Sequence, residues 1–165
     1  MEKHFTVTAY IIHEQKVLLL YHPKFTKWLP PGGHLEANET PIEGVRREVE
    51  EETGLQIAFI TDEHIWHAHA NASSFERPYL CLLENVPAHK DKPAHQHIDL
   101  IYLARPIGGR ELSEQERDYP LRWFSLDEVQ KLTPDQEIFA ETQKTIQHIL
   151  THQNDEAELL PMRED

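Results

Sequence analysis

Three glutamates, Glu48, Glu51 and Glu52, stand three and four positions apart in a stretch with helical periodicity. On a helix that spacing stacks the carboxylates on one face, a turn apart. Like charges held so close repel and need compensation. A hard divalent cation with oxygen ligands supplies it, since Mg2+ is usually held by a few carboxylates, waters and substrate phosphates. The plainer alternative is a solvated acidic face carrying Glu43–Arg47 and Arg47–Glu51 pairs, and the helix alone does not separate the two.

The elements around these residues are legible. Phe5 to Ile12 alternates and is rich in Thr, Val and Tyr, and after His13-Glu14-Gln15 a second run, Lys16 to Tyr21, completes a predicted hairpin. In Trp28-Leu29-Pro30-Pro31-Gly32-Gly33, two prolines and two glycines block regular structure and allow backbone to approach a ligand. Thr40-Pro41 supplies an N-cap and a first-turn proline; Ile42, Val45 and Val49 recur at helical spacing until Gly54 ends the helix. Strands are predicted at Leu55–Thr61, Pro78–Leu83, Ile98–Ala104 and Leu121–Phe124. Helices follow from Ser125 to Leu132 and from Asp135 to His152, the second opened by Thr133-Pro134. Residues 1–153 read as one domain, and the charged run 154–165 as a loosely ordered tail.

Loop and helix together form Gly33-x5-Glu39-x7-Arg47-Glu48-Val49-x-Glu51-Glu52-x-Gly54-Leu55. This resembles the Nudix box, with every defined position satisfied. At average usage of about 5–7% per residue type, the coincidence would arise by chance in fewer than about one chain in a million. The Trp28–Gly32 approach and the Arg122–Glu128 segment extend the resemblance to most of the chain. It implies an α/β fold, a Nudix-type α/β/α sandwich with a mixed β-sheet.

The resemblance also implies a reaction: Mg2+-dependent hydrolysis of a phosphoanhydride bond in a nucleoside diphosphate linked to another moiety, with Mn2+ able to substitute. Water attacks phosphorus while negative charge builds on the oxygens, so ions clamping the phosphates supply the main stabilisation. Glu48 and Glu52 would be the principal metal ligands, Glu51 would add a ligand or water contact, and the Gly32 carbonyl would complete the shell. Arg47 would orient the glutamates through charge-assisted bonds, and Glu39 would support the loop or bind a metal through water. The general base is a box glutamate or an acid on a loop outside it; Glu116 is the outside candidate, with Glu114 and Asp118 competing.

Substrate recognition is less marked. If Ile98, Leu100 and Tyr102 face the core, alternation puts His97 and Asp99 on the other face, where they could line a substrate pocket. Trp28 could stack on a base or anchor packing; Trp66 and Trp123 read as core. His64, His67, His69, His95 and His97 form two clusters, but none has a complete closed-site spacing for a transition metal, so they read as surface or supporting residues. About 16 residues past the box stands Asn71, neither the proline associated with ADP-ribose hydrolases nor the tyrosine associated with diadenosine polyphosphate hydrolases. A nucleoside triphosphate pyrophosphohydrolase, one that could clear damaged nucleotides, is the expected activity. ADP-ribose, nucleotide-sugar or dinucleoside polyphosphate hydrolysis are alternatives, as is a non-catalytic nucleotide-binding module.

The 165-residue composition agrees with a small-molecule substrate. A formal net charge of -13, from 16 Lys and Arg against 29 Asp and Glu, disfavours nucleic acid and anionic membranes as partners. No apolar run is long enough for a membrane span, and the N-terminus lacks a signal-peptide core. The one cysteine, Cys81, lies in an apolar run and reads as a buried thiol in a reducing compartment. A cytoplasmic protein is expected, and family resemblance makes a homodimer compatible with it.

Overall fold

The computed structural model describes residues 1–152, so the expected tail at 154–165 lies outside the described residues. In chain order the elements are β1 (Lys3–His13), β2 (Lys16–His22), β3 (Lys27–Leu29), β4 (Gly32–His34), α1 (Pro41–Thr53), β5 (Leu55–Phe59), β6 (Ala68–His69), β7 (Ala72–Ser73), β8 (Leu80–Val86), β9 (His95–Gly109), β10 (Leu121–Ser125), α2 (Leu126–Gln130) and α3 (Ala140–His152). One mixed sheet runs β10-β2-β1-β9-β5, with β3 on β2, β4 on β1 and β8 on β9. Strands β1 and β9 pair in parallel and the other neighbours antiparallel.

Alternation in β1 and β9 buries side chains on both faces, as a sheet covered by helices requires. Val7, Ala9, Ile11, Tyr102 and Ala104 join Val45 and Val49 of α1 on one face. Tyr10, Ile101 and Leu103 join Val129 of α2 and Ile146, Ile149 and Leu150 of α3 on the other. Strands β1 and β2 pair only beside their turn, at Ile12↔Val17 and His13↔Lys16. The Pro-Pro-Gly-Gly loop lies against β1 beyond that point: the Ala9 N–H donates to the Pro31 carbonyl (2.9 Å), and Gly32 to His34 pair with Thr8 to Thr6. That brings the glycines to the edge of α1.

Three expectations are corrected. The last helix begins at Ala140, not Asp135, because Asp135 takes a left-handed φ of 60° and its carboxylate accepts from the Ala140 N–H (2.9 Å). The intervening turn buries Ile138, which bridges to Trp28. Cys81 is exposed. It shares the uncovered face of β8 with Leu83, while Leu80 and Leu82 pack on the α3 side. Trp66 lies at the surface, 36% exposed, whereas Trp123 packs against the α1 cluster. No described helix is long and apolar enough to cross a membrane.

Candidate active site

Local chemistry fixes the phase of α1. The Thr40 hydroxyl accepts from the Glu43 N–H (3.3 Å), the Glu43 carboxylate accepts from the Thr40 N–H (2.8 Å), and Pro41 occupies the first turn. Gly54 ends the helix at φ 80°, a left-handed angle suited to glycine. Glu43 is thereby engaged in the cap and not in the Arg47 pair that a merely solvated face would have shown. Val45, Val49 and Thr53 are buried, which turns Glu48 and Glu52 toward β4 and leaves Glu51 exposed.

The glycines set the closeness of that approach. The Gly32 N–H donates to Glu52 Oε1 at 2.8 Å. A Cβ added at Gly33 would lie 2.5 Å from Glu48 Oε1, and one at Gly32 would lie 2.3 Å from the Val7 carbonyl oxygen. Any side chain here would displace either the glutamate or the strand.

Arg47 is the hub. Its Nε and Nη2 donate to the two carboxylate oxygens of Glu39 (2.6 and 2.9 Å), a bidentate fork. Nη1 donates to Glu48 (2.9 Å) and Glu51 (3.4 Å), and Nη2 also to the His34 carbonyl (3.1 Å). The Arg47 bond holds Glu39 down at about 2. Burial pushes Glu48 up in spite of Arg47, and pushes Glu52 up to about 8, reinforced by the charges of Glu48, Glu51 and Asp118. One guanidinium therefore donates to three carboxylates, Glu39, Glu48 and Glu51, with its tightest bonds on Glu39. The donors presented by Glu48, Glu51 and Glu52 are all oxygen, and half-buried Glu52 has no ion pair among the described residues, only the Gly32 N–H. That combination fits a hard divalent cation, whose charge would restore the carboxylate form.

The expected residues outside the helix divide. Glu116 is exposed and clamped by Arg110 (3.0 and 2.7 Å) and the Ser113 N–H, so its carboxyl falls to about 2. The charge from that loop that reaches Glu52 is Asp118's. Trp28 packs edge-on against Phe124 (4.9 Å between centroids) and Tyr21 (5.4 Å), making it an anchor between sheet and α3 region. Asp99 is 5% exposed and accepts from Thr6 (3.0 Å) and Thr8 (3.0 and 2.9 Å); burial raises it. Neighbouring Glu84 is pushed up to about 8 by burial and by Asp99. His97 stands beside Glu84 and joins His95, His4 and His34. Sequence reasoning missed Glu84, His4 and His34, which strand register alone brings to this face.

The α1 carboxylates and the Gly32–Gly33 backbone form one constellation, and known proteins share the fold that holds it. Residues 2–144 match the NUDIX domain. The protein "Probable DHNTP pyrophosphohydrolase" of Lactococcus lactis is 28% identical over 129 residues, covering 76% of this chain and 64% of the relative, so the chain spans less than two thirds of that protein's length. Phosphatase NudJ of Escherichia coli K12 is 30% identical over 111 residues, 66% of this chain and 71% of NudJ. The crystal structure of a NUDIX-family hydrolase from Clostridium perfringens superposes with a TM-score of 0.71 at 26% identity, covering 92% of this chain and 98% of that one. A UDP-X diphosphatase shares the fold, with a TM-score of 0.58 at 19% identity over 92% of this chain and 64% of the other. The chain belongs to the Nudix family and is a hydrolase of that family, with the α/β fold its sequence implied.

Proposed function

We propose that the protein is an Mg2+-dependent pyrophosphohydrolase of nucleoside triphosphates, canonical or oxidised. The observation that carries this is the convergence of Glu48 and Glu52 on the Gly32–Gly33 backbone, with Arg47 joining Glu48 to Glu51. Glu48 and Glu52 hold the ion, with Glu51 and the Gly32 carbonyl as further oxygen donors, and Mn2+ can replace Mg2+. When bound, the ion neutralises phosphate oxygens and stabilises the charge that builds at phosphorus.

The chain's own groups do the rest. Arg47 keeps Glu48 and Glu39 in one orientation, and Gly33 leaves the room Glu48 needs. Asp118, whose charge reaches Glu52, takes the proton of the attacking water in place of Glu116, which is committed to Arg110. On the opposite face of the sheet, Asp99 is buried beneath Thr6 and Thr8, so contact with the base falls to Glu84. The substrate is a small nucleotide, and a cytoplasmic location suits it.

The test is cleavage with Mg2+ across canonical and oxidised nucleoside triphosphates, ADP-ribose, dinucleoside polyphosphates and nucleotide sugars, with Glu52→Gln as control. Triphosphates cleaved by the wild type and not by the variant support the proposal. Cleavage of another class alone replaces the substrate, and cleavage undiminished in Glu52→Gln removes the role of that residue. A second reading, DHNTP as substrate, is favoured by the name of the Lactococcus lactis relative and is settled by adding DHNTP to the panel.

A further inference from the structure

On the sheet face away from α1, at the end of β1, four imidazoles meet. The parallel pairing of β1 with β9 sets His4 beside His97, and the antiparallel pairing of β4 with β1 sets His34 beside Thr6, two residues along from His4. His95 precedes His97 by two residues on β9 and so shares its face. Ring centroids lie 4.7 Å apart for His4 and His95, 4.9 Å for His34 and His97, 5.0 Å for His95 and His97, and 5.5 Å for His4 and His34. One ligating nitrogen from each of His4, His34 and His97 lies within 4.8 Å of the others.

The hydrogen bonds around the rings indicate what the space between them would take. His95 Nδ1 is 3.1 Å from the Pro93 carbonyl, which can only accept, so Nδ1 carries the proton and neutral His95 has its lone pair on Nε2. That Nε2 is 3.2 Å from His97 Nε2. His97 Nδ1 faces the Glu84 carboxyl at 3.7 Å; a proton on Nδ1 leaves His97 with a second lone pair aimed at the first. His4 Nε2 is 2.9 Å from the Glu2 carboxylate, which frees its Nδ1. Carboxylate or carbonyl on one ring nitrogen with the other nitrogen turned inward is the outer-sphere pattern of metal-binding histidines. Two imidazole nitrogens on a tetrahedral ion at about 2.0–2.1 Å stand roughly 3.3 Å apart, close to the 3.2 Å found here.

We propose that His4, His34, His95 and His97 form a second metal site, for a borderline transition-metal ion of the Zn2+ type. Neutral imidazole suits such ions and not Mg2+, so this site and the all-oxygen box select different metals. His34 is exposed and His4 partly so, leaving both free to swing the short distance that closes the shell. An open cleft of about 570 Å³ bounded by His4, Phe5, His34, Leu35, Glu36 and Glu39 gives access from solvent. A filled site ties β4 to β1 and β9, and β4 presents the His34 carbonyl to Arg47. The ion therefore braces the strand on which the box arginine leans.

Calorimetric titration of the full chain with ZnCl2 in millimolar Mg2+, which keeps the carboxylates occupied, tests this. One Zn2+ per chain is expected, accompanied by a rise in Tm. Affinity should fall about tenfold or more in His97→Ala and in His34→Ala, the second an exposed position whose loss does not threaten the fold. Binding should persist in Glu52→Gln and in His148→Ala, which breaks the stacked His148–His152 pair on α3. Zn2+ binding unchanged by both histidine-cluster substitutions, or lost in Glu52→Gln or His148→Ala instead, overturns the proposal. Tetrahedral d–d absorption of Co2+, present in the wild type and absent in His34→Ala, would confirm nitrogen ligation; its equal presence in both would count against it.

Discussion

The carboxylate cluster of α1 and the histidine cluster of β1, β4 and β9 lie on either side of the same short strand, and they are built in opposite ways. The first comes from one helix: capping sets its phase, and residues three and four apart share a face. The second comes from residues 4, 34, 95 and 97, joined only by strand register. The first offers oxygen and carries excess negative charge; the second offers imidazole nitrogen. Chemistry drawn from one turn of helix travels with the sequence, whereas chemistry drawn from register exists only in the folded sheet.

The sharpest way to separate the two clusters is Glu52→Gln. If Glu52 holds the ion as proposed, the substitution should lower turnover by on the order of 10²-fold or more, while Zn2+ binding at the histidines remains. Turnover within a factor of two of wild type on a confirmed substrate would erase the catalytic side of the contrast. Gly33→Ala probes the strand between the clusters. Its Cβ would meet Glu48 Oε1 at 2.5 Å, so kcat should fall about 10- to 100-fold with the histidine site unaffected; an unchanged kcat would mean that Glu48 can move without consequence.

Stability against pH in metal-free buffer gives opposite signs for Glu52 and His97. Glu52, raised to about 8, binds a proton in the folded state that the unfolded chain has released above its ordinary value of 4.5. Its contribution is complete below that value and is lost as pH rises toward 8. His97, lowered to about 4 chiefly by burial, is neutral when folded and charged when unfolded below 6.5. Its contribution is present above 6.5 and lost as pH falls toward 4. Glu84 adds a second group of the Glu52 sign. Between about pH 4.5 and 6.5 the two glutamates outweigh His97, so Tm should fall gently as pH rises, more steeply in His97→Gln; from about pH 6.5 to 8 it should fall further, less steeply in Glu52→Gln or with Mg2+. Identical profiles for wild type and both variants would show that neither group is perturbed by the fold. The smallest effect belongs to Thr40→Ala, which removes one half of the capping box; about 1 kcal/mol of stability should be lost in urea unfolding with kcat near wild type. A large loss of kcat would mean that the helix phase is set at its first turn more tightly than the packing of Val45 and Val49 suggests.

Much of the site could be read before any fold was known. Thr40, Pro41 and Gly54 bound α1 as their chemistry requires, and the spacing of Glu48, Glu51 and Glu52 needs no tertiary information to place them on one side. The strands β1 and β2 and the short helix after Ser125 also follow from local pattern and capping. The local rules failed where long-range packing overrode them. The segment after Pro134 forms a turn because Ile138 is buried beside Trp28, and Cys81 is exposed because β8 has one uncovered face.

The sequence by itself determined the helix, its caps, the glycine loop and hence the identity of the box, because each depends on residues within about two turns of one another. Only the tertiary structure decided that Arg47 would hold Glu39, that Asp118 and not Glu116 would reach Glu52, and that four histidines would converge. Those contacts join residues whose separation along the chain carries no periodic signal, and their partners are selected by strand register and burial.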